Sequence, residues 1–301
     1  MTCPTLRAGY RGAFNWTASI RFLSARAIDG VERVCGETYE RTVRIDASTG
    51  VLAVTHDPRS KSLAVTVTSS GVDGERVLER IERMFDLDAD LPSINACLAR
   101  DAFLAPLVAR RPTIRVAGGW DPFEIAIRTV IGQQVSVSRA RQLNGVLVAR
   151  CGSVLGLRYV FPTPEQLLAA DLRSLGMPGA RVETLKTVAS AATADPHLFA
   201  RGASLDETIE RLRRVRGIGE WTAHYIAMRA CREPDAFPAR DIGLLRGAAD
   251  LHGRRPTPAE LTRRAEAWRP WRAYAAHHLW ALDSTARDGV QAESVDATLQ
   301  S

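Results

Sequence analysis

The stretch from Ser204 to Asp241 decides the fold of the second half of the chain and reads SLDETIERLRRVRGIGEWTAHYIAMRACREPDAFPARD. Its first part carries apolar residues at helical spacing, namely Leu205, Ile209, Leu212 and Val215. Gly217-Ile218-Gly219 interrupts this pattern, and a second helical pattern runs from Glu220 to Cys231. Glycine adopts positive φ and leaves the backbone bare, so Gly-Ile-Gly can join two helices in a tight turn. The sequence therefore predicts a helical hairpin with Ile218 filling the gap between the helices.

The first turn of the second hairpin helix has backbone N–H groups with no partner inside the helix. Such donors, together with the helix dipole, make a binding site for phosphate. Gly217-Ile218-Gly219 alone is equally consistent with an ordinary αα-hairpin with glycine caps. The residues that follow the hairpin must therefore decide between the two interpretations.

Aromatic and acidic residues follow the hairpin in an informative order. Trp221 and Tyr225 are four residues apart, so they share one helix face. Core packing is the common reason for such a pair, but Trp221 lies in the first turn, where it could stack on an everted base. Asp241 follows a proline loop and begins a new helical pattern. It is expected to cap that helix, and its carboxylate could also stabilise positive charge on a sugar ring.

Composition sets the broad class of the protein. The chain has 301 residues, of which 46% are hydrophobic and 25% charged, enough for two or three domains with real cores. Its net charge of +6 favours an anionic partner, although the excess is mild. The five cysteines show no disulfide or metal spacing. We find no apolar run of membrane or signal-peptide type, so a cytoplasmic protein of the bacterial cytosol or nucleoid is expected.

The first third of the chain has the alternation of strands. Thr38–Ile45 places Tyr39, Val43 and Ile45 on one face, and 51–54 and 63–67 follow. Ser48-Thr49-Gly50 and Asp57-Pro58 are predicted turns between them, which suits an antiparallel meander. Helical spacing then continues from Val77 to Phe85. An antiparallel sheet with a helix is the predicted structure.

From about residue 93 the sequence is predicted to be helical. Four helix starts carry a capping residue followed by Glu or Gln three positions later, at Asp121, Thr163, Ser204 and Thr257. The predicted fold class is α+β. We expect a sheet-and-helix domain over 1–92, a helical domain over 93–230 with the hairpin at about 204–231, and a second helical lobe over 231–301 packed with 93–120.

The segment from Leu212 to Asp241 closely resembles the helix-hairpin-helix DNA glycosylases, whose hairpin is followed by a loop ending in a catalytic aspartate. Within them it is most similar to the AlkA-type 3-methyladenine DNA glycosylase II. Other matching segments span nearly the whole chain: Phe14-Asn15-Trp16, 21–28, 131–137, 161–164, 175–178 and 268–272.

This resemblance implies an antiparallel sheet domain followed by two helical domains, and a DNA glycosylase of base excision repair. The substrate would be double-stranded DNA with alkylated bases of the 3-methyladenine and 7-methylguanine type, excised by base flipping. Asp241 would be catalytic, and the base pocket would contain Phe22, Trp221, Tyr225 and Trp280. DNA would be bound by Gln133 and Gln134 and by the N–H groups of Gly217, Gly219 and Thr222.

The resemblance also implies a structural Na⁺ or K⁺ held by hairpin carbonyls near Arg213, Val215 and Gly217, and no cofactor for catalysis. Bifunctional relatives carry a lysine two residues after the second hairpin glycine, where this chain has Trp221. No amine is available there for a Schiff base. We therefore expect a monofunctional, monomeric enzyme that uses water and leaves an abasic site for a downstream abasic-site endonuclease.

Four departures from the AlkA pattern bear on substrate range: Gln134 at the DNA wedge, Arg240 where a second acid is common, and the small residues Gly243 and Ala281. Arg240 removes a like charge beside Asp241 and adds a cation. Small residues could widen the base pocket. Three alternatives stay open, namely a lesion-binding protein without activity, a basic protein-interaction module, and a glycosylase for deaminated or oxidised bases. Adjacent His277 and His278 point to different helix faces and are expected to have packing or surface roles.

Overall fold

Alternating residues in the first third of the chain form a five-stranded antiparallel sheet. The computed structural model describes residues 5–68, 71–250 and 252–283. The strands are β1 (Thr5–Gly9), β2 (Glu32–Cys35), β3 (Thr38–Ile45), β4 (Ser48–Asp57) and β5 (Ser62–Thr68), in the order β1-β5-β4-β3-β2. Helices α1 (Trp16–Ser24) and α2 (Gly74–Phe85) belong to this part of the chain. The predicted sheet and helix are confirmed.

Helices make up most of the remaining chain. They are α3 (Leu91–Leu98), α4 (Leu104–Arg110), α5 (Pro122–Ile131), α6 (Val137–Cys151), α7 (Pro164–Ala169), α8 (Gly179–Ala194), α9 (Leu205–Arg213), α10 (Glu220–Arg229), α11 (Ile242–Gly247) and α12 (Pro258–Ala265). A 3₁₀ turn, Glu266–Trp268, precedes α13, which is described over 272–283. None of the described helices is both long and apolar enough to cross a membrane. The α+β fold class is confirmed.

The side chains of β3 that were predicted to share one face are buried on the inner side of the sheet. Tyr39, Val43 and Ile45 are at most 2% exposed, and they share one core cluster with residues of α2. The turn predicted at Ser48-Thr49-Gly50 is wrong, because those residues begin β4 and Ser48 pairs with Ile45. The chain reverses at 46–47 instead, where Asp46 takes a φ of 52°. Aspartate tolerates this left-handed conformation in tight turns.

A short hairpin within the helical region was not predicted. It consists of β6 (Ser153–Leu155) and β7 (Arg158–Val160). Tyr159 ties it to the first part of the chain, since its N–H donates to the Gly30 carbonyl at 2.9 Å and its carbonyl accepts from the Thr42 hydroxyl at 2.6 Å. Three-residue strands are too short to show an alternating pattern, so the sequence gives no warning of them.

Most of the predicted helix starts form as expected. Asp121, Thr163 and Thr257 accept hydrogen bonds from the first-turn N–H groups of α5, α7 and α12. Ser204 caps α9, but the Glu207 carboxylate accepts from the Ala203 N–H at 2.8 Å rather than from Ser204 itself. The reciprocal half of this fourth capping box is therefore displaced by one residue.

A buried ionic network joins the sheet to α5. Glu124 accepts from Arg41 at 2.7 Å and from Arg128 at 2.9 Å, and Arg128 also pairs with Glu32 at 2.8 Å. Burial would raise the pKa of Glu32, but Arg128 and Arg41 outweigh it and lower that pKa. Because a buried charge without its partner is costly, the network holds the sheet and α5 in one arrangement.

The chain after residue 231 contacts the segment that follows the sheet. Trp268 is fully buried, and its indole N–H donates to Asp101 at 3.0 Å. The Arg264 guanidinium lies 4.3 Å from the ring centre of Phe103. These contacts join α4 and its N-terminal turn to the helices around Asp241, whereas the domain boundaries at 92 and 230 stay predictions.

Candidate active site

The hairpin between α9 and α10 turns at one glycine with positive φ. Gly217 has a φ of +92°, and a Cβ added there would lie 2.1 Å from the Thr184 hydroxyl oxygen. Gly219 has a φ of −81° and open space around its Cα, so the expectation of positive φ is wrong for this glycine. Ile218 is 6% exposed and belongs to the helical core. Gly217 thus makes the turn, and Gly219 keeps the outer surface bare.

Helix α10 begins without a capping side chain. Gly219 is its N-cap residue and offers no side chain to the first-turn N–H groups. Within the described chain, the N–H groups of Gly217, Gly219 and Thr222 donate to no protein acceptor. The Ile218 N–H, in contrast, donates to the Val215 carbonyl at 3.0 Å. An uncapped, exposed helix start of this kind attracts an anion.

Asp241 occupies the N-cap of α11 and is held by four hydrogen bonds. Its Oδ1 accepts from the N–H groups of Gly243 at 2.9 Å and Leu244 at 3.1 Å, and from the Trp280 indole at 2.8 Å. Its Oδ2 accepts from the Trp221 indole at 2.9 Å. Each carboxylate oxygen has about two acceptor positions, so Oδ2 retains one. The carboxylate is therefore fixed in orientation and still able to face a ligand.

Three aromatic side chains predicted for the base pocket lie together beside Asp241. Trp221 stacks on Tyr225 with ring centres 5.4 Å apart and an interplanar angle of 22°. Trp280 meets Tyr225 edge-on at 6.0 Å, and His277 meets Trp280 edge-on at 5.1 Å. Trp221 and Trp280 come from different helices, and both donate to the same carboxylate. An aromatic wall thus stands against a fixed negative charge.

Phe22, the fourth residue predicted for the base pocket, is linked to this aromatic cluster by arginine side chains that contact its ring. The Arg229 guanidinium lies 5.1 Å from the Phe22 ring and 5.6 Å from the Tyr225 ring, and it donates to the Tyr225 hydroxyl at 3.0 Å. Arg26 lies 3.9 Å from the Phe22 ring. Burial would raise the pKa of Tyr225, but Arg229 and Arg26 outweigh it and lower that pKa.

Sequence reasoning missed both arginines of this wall. Each stands four residues after its aromatic partner: Arg229 follows Tyr225 on α10, and Arg26 follows Phe22 in the turn just beyond the end of α1. That spacing brings side chains together on one helix face, so the signal was present. Burial, the main cause, lowers the pKa of Arg26 to about 10, which shows how far this cation is removed from water.

The loop between α5 and α6 is tied to the hairpin. The Gln133 side chain donates to the Thr222 hydroxyl at 2.8 Å, and the Gln133 carbonyl accepts from Arg181 at 2.7 Å. Gln134 follows with a φ of 57° and is exposed. The two glutamines predicted to bind DNA therefore differ, since Gln133 is anchored to the protein and Gln134 is free to meet a ligand.

Two departures from the AlkA pattern have local structural explanations. The Arg240 guanidinium forms an ion pair with the Glu220 carboxylate at 3.2 Å, so its positive charge is paired with Glu220. A Cβ at Gly243 would lie 3.0 Å from both Asp241 Oδ1 and Trp280 Cδ1. Glycine at this position thus lets the Trp280 indole reach Asp241, and the space that it leaves is filled by Trp280. Ala281 directly follows Trp280 on α13.

The paired histidines pack within the protein. His277 Nδ1 lies 2.9 Å from the Ala273 carbonyl, and His278 is 1% exposed. Burial lowers the pKa of each to about 4. Within the described ranges, no group of three His, Cys, Asp or Glu side chains could hold a metal ion. These observations agree with the packing roles expected for both residues.

Comparison with known proteins identifies the family. Residues 5–121 match the AlkA N-terminal domain, and residues 127–273 match the HhH-GPD superfamily of base excision DNA repair proteins. The chain is 33% identical over 279 residues to the DNA-3-methyladenine glycosylase 2 of Escherichia coli, covering 89% of this chain and 93% of that protein.

A second relative is longer than this chain. The probable bifunctional transcriptional activator/DNA repair enzyme AlkA of Mycobacterium tuberculosis is 34% identical over 281 residues, which cover 92% of this chain and 56% of that protein. Among solved structures, a 3-methyladenine DNA-glycosylase from Archaeoglobus fulgidus superimposes with a TM-score of 0.82 at 22% identity, covering 93% of this chain and 98% of the other. The chain therefore belongs to the HhH-GPD superfamily of base excision DNA repair proteins, and within it to the AlkA-type glycosylases.

Proposed function

We propose that the protein is a monofunctional DNA glycosylase that removes alkylated bases of the 3-methyladenine and 7-methylguanine type from double-stranded DNA. One observation carries the proposal. Asp241 is fixed by the Trp221 and Trp280 indoles at the edge of an aromatic wall, beside a helix start without a cap. The 3-methyladenine glycosylase named above as a relative supports the same class of substrate.

Binding begins at the DNA backbone. The free N–H groups of Gly217, Gly219 and Thr222 donate to a phosphate, and Gln134 enters the base stack as the damaged nucleotide turns out. Turning a base out costs a few kcal/mol, and weakly stacked lesions cost least. A cationic alkylated base then gains about 0.5–2 kcal/mol from each aromatic face that it meets, such as that of Trp221.

Asp241 supplies the electrostatics of bond cleavage. The electron pair of the N-glycosidic bond leaves with the base, and positive charge develops on the sugar ring beside the carboxylate. Water then bonds to the sugar carbon and loses a proton, which gives an abasic site. An alkylated purine cation departs neutral, so the reaction proceeds without a strong general acid. Because Asp241 is held before the substrate arrives, little reorganisation is needed.

A monovalent cation fits the hairpin backbone. The Arg213 and Gly217 carbonyls accept no hydrogen bond within the described ranges, and the Val215 carbonyl accepts one from Ile218. Backbone oxygens are suitable ligands for hard cations. Na⁺ or K⁺ bound there would add positive charge beside the phosphate, and this role is structural.

The positions of the two lysines support hydrolysis without lyase chemistry. Its two lysines are Lys61, between β4 and β5, and Lys186, whose ammonium donates to three carbonyls near α7. Neither lies in the cluster around Asp241, and Trp221 occupies the place of the lysine of bifunctional relatives. We expect no covalent adduct when the enzyme acts on damaged DNA in the presence of borohydride. A reduced protein–DNA species together with strand cleavage would contradict this assignment.

Substitution of Asp241 by Asn tests the proposed chemistry. Asparagine is as good an N-cap as aspartate, so α11 and DNA binding should persist, while the loss of charge should slow base release by about 100-fold or more. The measurement is single-turnover release of 7-methylguanine from duplex DNA, together with DNA affinity. Asp121→Asn is a matched control, since Asp121 also caps a helix through two N–H groups. Equal release by Asp241→Asn and the unsubstituted enzyme would refute the role of Asp241.

A specific observation favours a second class of substrate. Arg26 and Arg229 bring positive charge to the wall around Phe22 and Tyr225. A cation disfavours a cationic base and favours a neutral base with acceptor groups. Deaminated bases such as hypoxanthine are therefore a second candidate. Release from hypoxanthine-containing and 7-methylguanine-containing duplexes under identical conditions distinguishes the two classes.

A further inference from the structure

A cavity of about 240 Å³ lies between the amino-terminal part of the chain and α10. Its wall includes four arginines, Arg80 and Arg83 from α2 and Arg229 and Arg232 from the end of α10 and the residues that follow. Trp120 also lines it, and no acidic side chain does. Like charges around one small volume repel each other unless they are paired with anions.

The cavity retains positive charge because two of these arginines have no carboxylate partner. Arg80 is 3.5 Å from Asp121, and Arg232 pairs with acidic residues outside the cavity wall. Arg83 donates to the Ala230 carbonyl at 3.3 Å, and Arg229 donates to two carbonyls and the Tyr225 hydroxyl. Within the described ranges, neither Arg83 nor Arg229 forms an ion pair.

A second observation supports an anion in this place. A guanidinium has five N–H donors, of which Arg83 uses one and Arg229 uses three within the described residues. The remaining donors need acceptors, and a negatively charged acceptor gives the stronger hydrogen bonds.

We propose that this cavity binds a small oxyanion of the phosphate class, held by Arg83 and Arg229. The site is distinct from the phosphate-binding end of the hairpin. Gly219 stands at the start of α10 and Ala230 at its end, and a helix of 10 residues separates them by about 15 Å. A bound oxyanion would link α2 to α10 and would contact the same guanidinium that donates to Tyr225.

Thermal unfolding of the whole protein in increasing inorganic phosphate, at constant ionic strength set with chloride, tests the site. A ligand that binds only the folded state raises the melting temperature in a concentration-dependent way. We expect such a rise for the unsubstituted protein, and an apparent Kd about tenfold or more weaker in Arg83→Met, since a charged hydrogen bond is lost. Arg76→Met is the matched control, because Arg76 lies on α2, is exposed and pairs with Asp46.

Two further measurements identify the ligand and keep the test informative if one variant folds poorly. Arg83→Lys keeps the positive charge but removes the planar fork of donors, and should weaken phosphate binding measured by calorimetry even if Arg83→Met is poorly folded. Deoxyadenosine 5′-monophosphate in place of phosphate distinguishes a free anion from the phosphate of a nucleotide. No rise with phosphate, or an equal rise in Arg83→Met, would overturn the proposal, because the cavity would then hold water or the anion would bind elsewhere. Neither outcome depends on base release, so the proposed glycosylase activity is tested separately.

Discussion

Trp221 determines more of the site than any other single residue. Its indole donates to Asp241 and its ring stacks on Tyr225. The family resemblance also implies that it stands where bifunctional relatives have a lysine. A lysine here would give up the stacking contact and would place a second positive charge near the carboxylate. Trp221 thus has two effects: it orients Asp241, and it leaves this position without an amine.

The two hairpin glycines are expected to respond differently to alanine. Gly217→Ala forces a side chain into a φ of +92° and against Thr184, so it should destabilise the fold by more than about 2 kcal/mol. Gly219→Ala meets open space at a φ of −81°, so its stability should change by less than about 0.5 kcal/mol. Urea unfolding measures both. The added methyl of Gly219→Ala should weaken DNA binding; equal stability losses in the two variants would count against this account of the turn.

At the scale of elements, the loop between α5 and α6 is the segment that we propose enters DNA. Gln133 anchors it to Thr222 of α10, and Gln134 stays exposed in a left-handed conformation. Gln134→Asn shortens the side chain and tolerates positive φ, so it should slow base release most for a lesion in a well-stacked, paired site. Gln142→Asn, on the exposed side of α6, is the control. An equal effect on paired and mispaired lesions would show that Gln134 does not replace the extruded base.

Features that depend on residues close together in the chain could be predicted from the sequence, and features that depend on distant residues could not. Capping at Asp121 and the inward face of β3 depend on neighbouring residues, and both were predicted. The turn at 46–47 was misplaced because Ser48-Thr49-Gly50 is equally suited to a turn and to a strand start. The contact between Asp241 and Trp280 spans 39 positions, so only the family resemblance brought these residues together. The Arg229 contact with Phe22 depends on packing between distant helices, which no periodicity reveals.

For the whole molecule, one buried and two half-buried histidines predict a loss of stability in acid. Burial lowers the pKa of His224, His277 and His278 to about 4, against about 6.5 in an unfolded chain. As pH falls from about 6.5 to about 4, the unfolded chain takes up protons that the folded protein does not. The free energy of unfolding should therefore be largest above pH 6.5 and should decrease through that window.

Urea midpoints at pH 7.5, 6.0 and 5.0 measure this dependence. His278→Gln removes one buried titrating group and should flatten the slope, whereas His197→Gln changes an exposed histidine and should not. An unchanged slope in His278→Gln would assign the acid sensitivity to other groups, such as the carboxylates of the network that joins the sheet to α5.

The two indoles that hold Asp241 also give the site an optical signal of its own. Trp221 and Trp280 are two of the six tryptophans in the chain, and both N–H groups are bonded to one carboxylate. Indole emission is sensitive to nearby charge and to stacked aromatic rings. Under the proposed function, a base that enters against Trp221 would alter the intrinsic fluorescence of the protein, and the arrival of the extruded nucleotide could be followed in time without a label on the DNA.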